Sequence, residues 1–189
     1  MAKITSIKGR LVYNSRGSKT IEVDVISDNQ YLGRICAPSG ASVGKHEAIS
    51  FPNDNPDESL HILTENSKKF IEADPNDLKA IHEIIKSIDN TPNYSEIGGA
   101  LAYAITIATM ESASKAIGKP FFRLISEQNE YRFPVPLGNI LGGGAHAGPG
   151  TPDIQEVLIS ATGAKTIREA IQTNFSVHKE LRKVIEKTD

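Results

Sequence analysis

The residues with the most chemical capacity lie between positions 141 and 156. Leu141-Gly142-Gly143-Gly144-Ala145-His146-Ala147-Gly148-Pro149-Gly150 sets a histidine inside a glycine-rich run, and Gln155-Glu156 follows shortly after. An imidazole and a carboxylate are the usual proton-transfer groups of an active site. Glycines around them let a loop move or let backbone approach a ligand closely. Five of the chain's 15 glycines fall in Gly142 to Gly150, more than a hairpin needs. A glycine-rich loop of this kind also serves purely structural roles, and one histidine with one glutamate does not define a site.

Other motifs fail on their own chemistry. Gly40-Ala41-Ser42-Val43-Gly44-Lys45 has three residues between its glycines and His46 after the lysine. A nucleotide phosphate loop needs four, then a hydroxyl that holds magnesium. Thr162-Gly163-Ala164-Lys165-Thr166 supplies the lysine and hydroxyl without the upstream glycine. His82-Glu83 opens like a zinc-protease helix, but Lys86 stands where the second histidine ligand belongs. Asn93-Tyr94-Ser95 matches a glycosylation acceptor, which has no meaning without secretion. The ten acidic against four basic residues from Asp54 to Glu96 read as solvated helix faces.

The elements that must position these groups follow from periodicity. Ile4 to Tyr13, Ile21 to Val25 and Tyr31 to Ala37 alternate as half-buried strands, the second and third joined by the polar turn Ser27-Asp28-Asn29-Gln30. Such short links predict an antiparallel meander. Ile26 breaks the alternation, so the end of the second strand is expected to be covered on both faces. From Pro56 the period becomes helical. Leu60, Leu63, Phe70 and Ile71 suit one helix. Leu78, Ile81, Ile84, Ile85 and Ile88 suit another, capped by Asn76 or Asp77. A third helix is predicted from about Ser95 to Ile117, stopped by Gly118-Lys119-Pro120, with a short fourth over Phe121 to Ile125.

Strands followed by helices make an α+β domain, here assigned to residues 1–128 with a polar linker at Gln128-Asn129-Glu130. Residues 129–189 read differently: strands near Val135 to Ile140 and Ile154 to Ile159, then an amphipathic helix from Thr166 to about Lys187. Two strands and one helix cannot close a core, so this second domain is expected to be incomplete.

Composition narrows the function class. With 39% hydrophobic residues and a net charge of −2, the chain is a folding sequence, and its pI near 6.2 disfavours nucleic acid as a partner. The single cysteine, Cys36, excludes an internal disulfide framework. Ala100 to Met110, the longest mostly apolar stretch, spans 11 residues, against the ~20 that cross a bilayer. The opening Met1-Ala2-Lys3-Ile4-Thr5 lacks the apolar core of a secretory signal. A soluble protein of the cytoplasm, with no membrane partner, is the expectation.

Three segments in this order resemble the enolase (phosphopyruvate hydratase) family, especially its archaeal members. They are Asn14-Ser15-Arg16-Gly17 before Thr20-Ile21-Glu22-Val23, Pro38 to Gly44 with Glu47-Ala48, and Leu137-Gly138-Asn139 leading through Gly143 to Gly148 to Gln155-Glu156. The resemblance covers the whole chain. It implies a small α+β domain followed by the opening β-β-α part of an incomplete enolase-type (α/β)8 barrel, with residues 141–153 at the C-terminal end of the first barrel strand. Barrel enzymes carry their active sites at that end.

The family's reaction is the magnesium-dependent dehydration of 2-phosphoglycerate to phosphoenolpyruvate in glycolysis. Proton loss beside a carboxylate builds two negative charges on one enediolate, which divalent metal offsets. By position, Ser42 resembles a mobile-loop serine that ligates the second Mg2+. His146 is similar to a histidine that closes over substrate, and Gln155 to a glutamine that contacts it. Glu156 resembles one of two glutamates that handle the departing hydroxyl, a role suited to a carboxyl kept protonated near neutral pH.

Departures from the family pattern fall at Asn14, Ser18-Lys19, Val43, Pro52-Asn53, Ala100 and Ser176. They bear on dimer geometry and first-loop closure rather than on the four residues assigned to chemistry. The family's catalytic lysines, primary magnesium ligands and second catalytic glutamate are expected beyond residue 189. The 60 residues from Glu130 to Asp189 are far fewer than the roughly 250 of a complete barrel. The resemblance therefore implies an N-terminal portion of a homo-oligomeric lyase that is inactive by itself. The alternative is a stand-alone, non-catalytic enolase-like scaffold or partner-binding module.

Overall fold

The computed structural model describes residues 2–38, 44–126, 128–144 and 147–187. The chain divides into two compact units, Met1–Glu127 and Gln128–Asp189.

In the first unit β1 (Ile4–Tyr13), β2 (Lys19–Ser27) and β3 (Tyr31–Cys36) form an antiparallel sheet of order β1-β2-β3. The turn between β2 and β3 places Asp28 and Asn29 at φ of 49° and 55°, the left-handed pair that suits the twist of a tight hairpin. Ile4, Ile21, Val23 and Val25 are fully buried on the inner face. On the outer face Asp24 accepts from Arg34 Nε and Nη2 at 2.7 and 2.8 Å and from Arg10 Nη1 at 3.0 Å. The Arg34 hydrogen bond, supported by Arg10, holds the Asp24 carboxyl below its ordinary range. Cys36 donates to Glu22 Oε2 at 3.0 Å. Burial, with that carboxylate, pushes the thiol's pKa up, the opposite of what a reactive cysteine needs. Ile26 is half-buried on the outer side.

Helices α1 (Pro56–Asn66), α2 (Leu78–Lys86), α3 (Gly99–Ala116) and α4 (Phe122–Ile125) complete the unit. The first helix is shorter than its apolar spacing predicts. Asn66 Nδ2 donates to Ile62 O and Ser67 Oγ to Thr64 O, and such side-chain bonds compete with the helical ladder. A 3-10 turn, Ser67–Phe70, follows, and Ile71 is extended, at φ −65° and ψ 140°. The chain is then tied to the start of β1 by Ile4 N→Ala73 O and Glu72 N→Ile4 O, both 2.9 Å. Asp77 caps α2 by accepting from Ala80 N at 3.0 Å. Ile88 falls outside that helix, partly buried against the core.

The third helix begins at Gly99 rather than Ser95, and the cause is Asp89. This residue is 1% exposed. Its carboxylate accepts from the Thr91 hydroxyl and from the backbone N–H groups of Thr91, Glu96 and Ile97. Those bonds hold the segment before α3 in a non-helical turn, with Tyr94 and Gly98 at φ of 55° and 85°. From Gly99 onward α3 buries Leu101, Ala104, Ile105 and Ala108 against the sheet.

The second unit holds the antiparallel pair β4 (Leu137–Gly142) and β5 (Glu156–Ser160), then α5 (Ile167–Ile185). Both strands start about two residues later than their apolar runs predict. Pro134 and Pro136 lack the N–H groups a ladder needs. Thr166 caps α5, its hydroxyl accepting from Glu169 N at 3.1 Å. Ala170 is this unit's one buried apolar side chain among the described residues, while Phe133, Leu137 and Phe175 are 85%, 68% and 72% exposed. Two strands without a closed barrel are what the described residues form.

Asp89 gives the first prediction. Burial alone would raise its pKa, but the bonds from Thr91, Ile97 and Glu96 outweigh burial and lower it. The stabilisation is therefore present above the unfolded value of about 3.9 and is lost as pH falls through the lower folded value. Asp89→Ala should lower stability by about 3 kcal/mol at neutral pH. Urea unfolding across pH should show the gap from wild type closing in acid.

Candidate functional site

The glycine-rich segment leaves β4 and returns to β5 through a closed neck. Gly143 N donates to Gln155 O at 2.8 Å, and Gly144 N donates to Pro152 O at 2.7 Å. A β-carbon at Gly143 would lie 2.4 Å from Ile154 O and 2.5 Å from Pro152 O, so only glycine fits there. Gly144, Gly148 and Gly150 have φ of 61°, 86° and 84°, which side chains avoid. Thr151 Oγ1 braces the far side by donating to Gly148 O at 2.7 Å. These four glycines are therefore needed for a strapped excursion, whatever chemistry the loop performs.

Gln155 and Glu156 sit at that neck, both exposed. Strand register decides which way Glu156 faces. Gly138, paired with Ile159, lies against Asn174 of α5, where a β-carbon would be 3.0 Å from Asn174 Nδ2. Alternation then puts Leu137, Asn139, Leu158 and Glu156 on the opposite, helix-free face of the hairpin. Their cross-strand partners agree: Leu137 with Ser160, Asn139 with Leu158, Gly142 with Glu156. In a barrel built from such units the helix-free face is the inner one.

Of the four residues singled out by sequence, Gln155 and Glu156, neighbours in the chain, are described and both are exposed. Ser42 and His146 lie outside the described residues. On the described side of the first loop, Glu47 Oε1 accepts from Gly44 N at 2.9 Å.

Two residues with no assigned role prove important for position. Asn139 Oδ1 accepts from Leu141 N at 3.1 Å, at the point where the β4–β5 register shifts by one residue. Asn174 Nδ2 donates to Pro136 O at 3.1 Å, fixing α5 to the entry of β4. Asn174 Oδ1 is buried with no hydrogen-bond partner among the described residues. An asparagine amid the apolar positions of a helix is the sequence signal that could have found it.

Magnesium needs a set of hard oxygen ligands. No group of three or more His, Cys, Asp or Glu side chains that could hold a metal ion occurs among the described residues. Glu156 alone does not supply such a set, so these residues do not fit a complete metal centre.

Comparison with known proteins accounts for both units. The family model described as "Enolase, N-terminal domain" matches residues 4–125, and "Enolase, C-terminal TIM barrel domain" matches residues 130–189. A protein named enolase from Methanothermobacter thermautotrophicus is 42% identical over 190 residues, covering 98% of this chain and 45% of its own length. Those of Methanosphaera stadtmanae and Halobacterium salinarum are 38% and 36% identical, over 98% and 96% of this chain and 45% and 46% of theirs. The chain thus spans less than half the length of these relatives.

The neck yields a second prediction. Gly143→Ala should speed amide exchange at Gly144 by about tenfold, since one lost hydrogen bond supports a change of that order. The exchange rates of β1 to β3 should stay as they are, and residue-resolved hydrogen exchange reads both.

Proposed function

The chain belongs to the enolase family, and on that premise we propose that it is the N-terminal part of an enolase. The assembled enzyme would be a magnesium-dependent lyase that dehydrates 2-phosphoglycerate to phosphoenolpyruvate. The observation that supports this reading is the placement of Glu156, directly after Gln155, at a strapped glycine neck and on the helix-free face of the hairpin.

Chemistry divides between this chain and the rest of a barrel. Glu156 would act on the departing hydroxyl. Gln155 would position substrate through its amide. His146 would close over the site, and Ser42 is the one residue of this chain proposed to reach the second Mg2+. The metal, when bound, offsets the charge that builds on the enediolate. The described residues do not assemble its centre, so no step through the metal is assigned to them. A homo-oligomer in the cytoplasm is part of the same proposal, as is the absence of turnover by the 189-residue chain alone.

The test has two arms. The purified chain, given 2-phosphoglycerate and magnesium, should form no phosphoenolpyruvate; steady turnover would overturn that part. Reading the source gene past the codon for Asp189 should reveal an in-frame barrel, and in that longer protein Glu156→Gln should lower kcat about 10²–10⁴-fold. A stop codon at once counts against the proposal and favours a non-catalytic module, and an unchanged kcat overturns the role given to Glu156.

A further inference from the structure

In the sheet order β1-β2-β3, one outer edge runs along β3. Two of its outward backbone groups are taken by side chains of α3. Arg34 N donates to Glu111 Oε2 at 2.7 Å, and Lys115 Nζ donates to Leu32 O at 2.6 Å. Lys115 Nζ also donates to Glu111 Oε1 at 2.9 Å. One turn position away, Ser112 Oγ donates to Tyr31 O at 2.7 Å.

The two occupied groups flank Gly33. An antiparallel strand arriving opposite Gly33 would use the same pair, giving its own N–H to Leu32 O and its carbonyl to Arg34 N. The Glu111 carboxylate and the Lys115 ammonium therefore stand where a neighbouring strand's acceptor and donor would be. An i,i+4 ion pair on a helix contributes little by itself and can form facing water. Here each partner also bonds the strand.

The same geometry identifies what is kept out. Two β3 strands related by a two-fold axis at Gly33 would pair Leu32 O with the other copy's Arg34 N, and the reverse, so the open edge is self-complementary. Open edges of this kind are templates for strand addition. We propose that the Glu111–Lys115 pair is an edge guard, closing β3 against pairing with the β3 of a second copy of this chain.

The test reverses the guard's polarity while keeping its charges. E111K/K115E preserves the ion pair and the net charge, but sets a donor against Arg34 N and an acceptor against Leu32 O. Residue-resolved hydrogen exchange of the full chain, under reducing conditions and over a range of concentrations, is the measurement. In the wild type the Arg34 amide should exchange slowly at every concentration. In the variant it should exchange about tenfold faster when dilute, the change that loss of a charge-assisted bond supports. It should regain protection as concentration rises, in step with dimer in sedimentation. E111A/K115A should show both effects, and E111Q/K115R, which keeps acceptor and donor, should behave as wild type. Association through the apolar surface of the second unit protects β4 and β5 instead, so it is read separately. Unchanged exchange in both guard-removing variants, faster exchange without concentration-dependent protection, or concentration dependence already present in the wild type would each refute the proposal.

Discussion

At Gly33 the backbones of β3 and α3 come so close that a β-carbon would sit 1.9 Å from Ala108 O and 2.6 Å from Ser112 N. Much else in the first unit depends on this approach. It lets Ser112 reach both Ser27 Oγ and Tyr31 O, each at 2.7 Å, and brings Glu111 and Lys115 to the strand edge. It also requires small residues on the facing helix, and Ala104, Ala108 and Ser112 meet that requirement while fully buried. A methyl group at position 33 cannot be absorbed by a rotamer change, because the obstructing atoms are backbone.

The second unit follows a different economy. It has a well-formed hairpin and a capped helix, yet its apolar side chains are mostly exposed and Ala170 is its one buried apolar side chain among the described residues. Its local order therefore rests on backbone pairing, the neck at Gly143 and the Asn174 clamp, rather than on a core. The family model that matches this unit describes a TIM barrel, in which strands and helices with apolar faces like those of β4, β5 and α5 pack against neighbours of the same kind. The placement of Glu156 nonetheless comes from register alone, and a slip of one residue in β5 would turn it to the opposite face.

Much of this was legible in the sequence, and the misses have physical causes. Alternation in Ile21 to Val25 revealed the buried face of β2, and Asp77 and Thr166 announced their helices as caps. Local pattern could not reveal that Asp89 accepts four hydrogen bonds from residues up to eight positions away and so delays α3 to Gly99. Nor could it show that Asn66 and Ser67 would end α1 before Phe70. At the site, Gln155 and Glu156 were marked by resemblance, but the face Glu156 takes depends on the register that sets Ile159 opposite Gly138 beneath α5. Asn174 was passed over because its partner, Pro136 O, lies 38 residues away.

The distance in sequence between β3 and the helix that covers it has a consequence in time. Leu32 and Lys115 are 83 residues apart. At about 5–20 residues per second of synthesis, an interval of that length takes roughly 4–17 s. During that interval the meander can already have formed on the emerging chain, since its turns are local, but α3 has not yet been made. Nascent chains on one messenger would then carry bare β3 edges side by side. Whatever occupies such an edge in those seconds, whether a chaperone or the neighbouring chain, does so before α3 arrives.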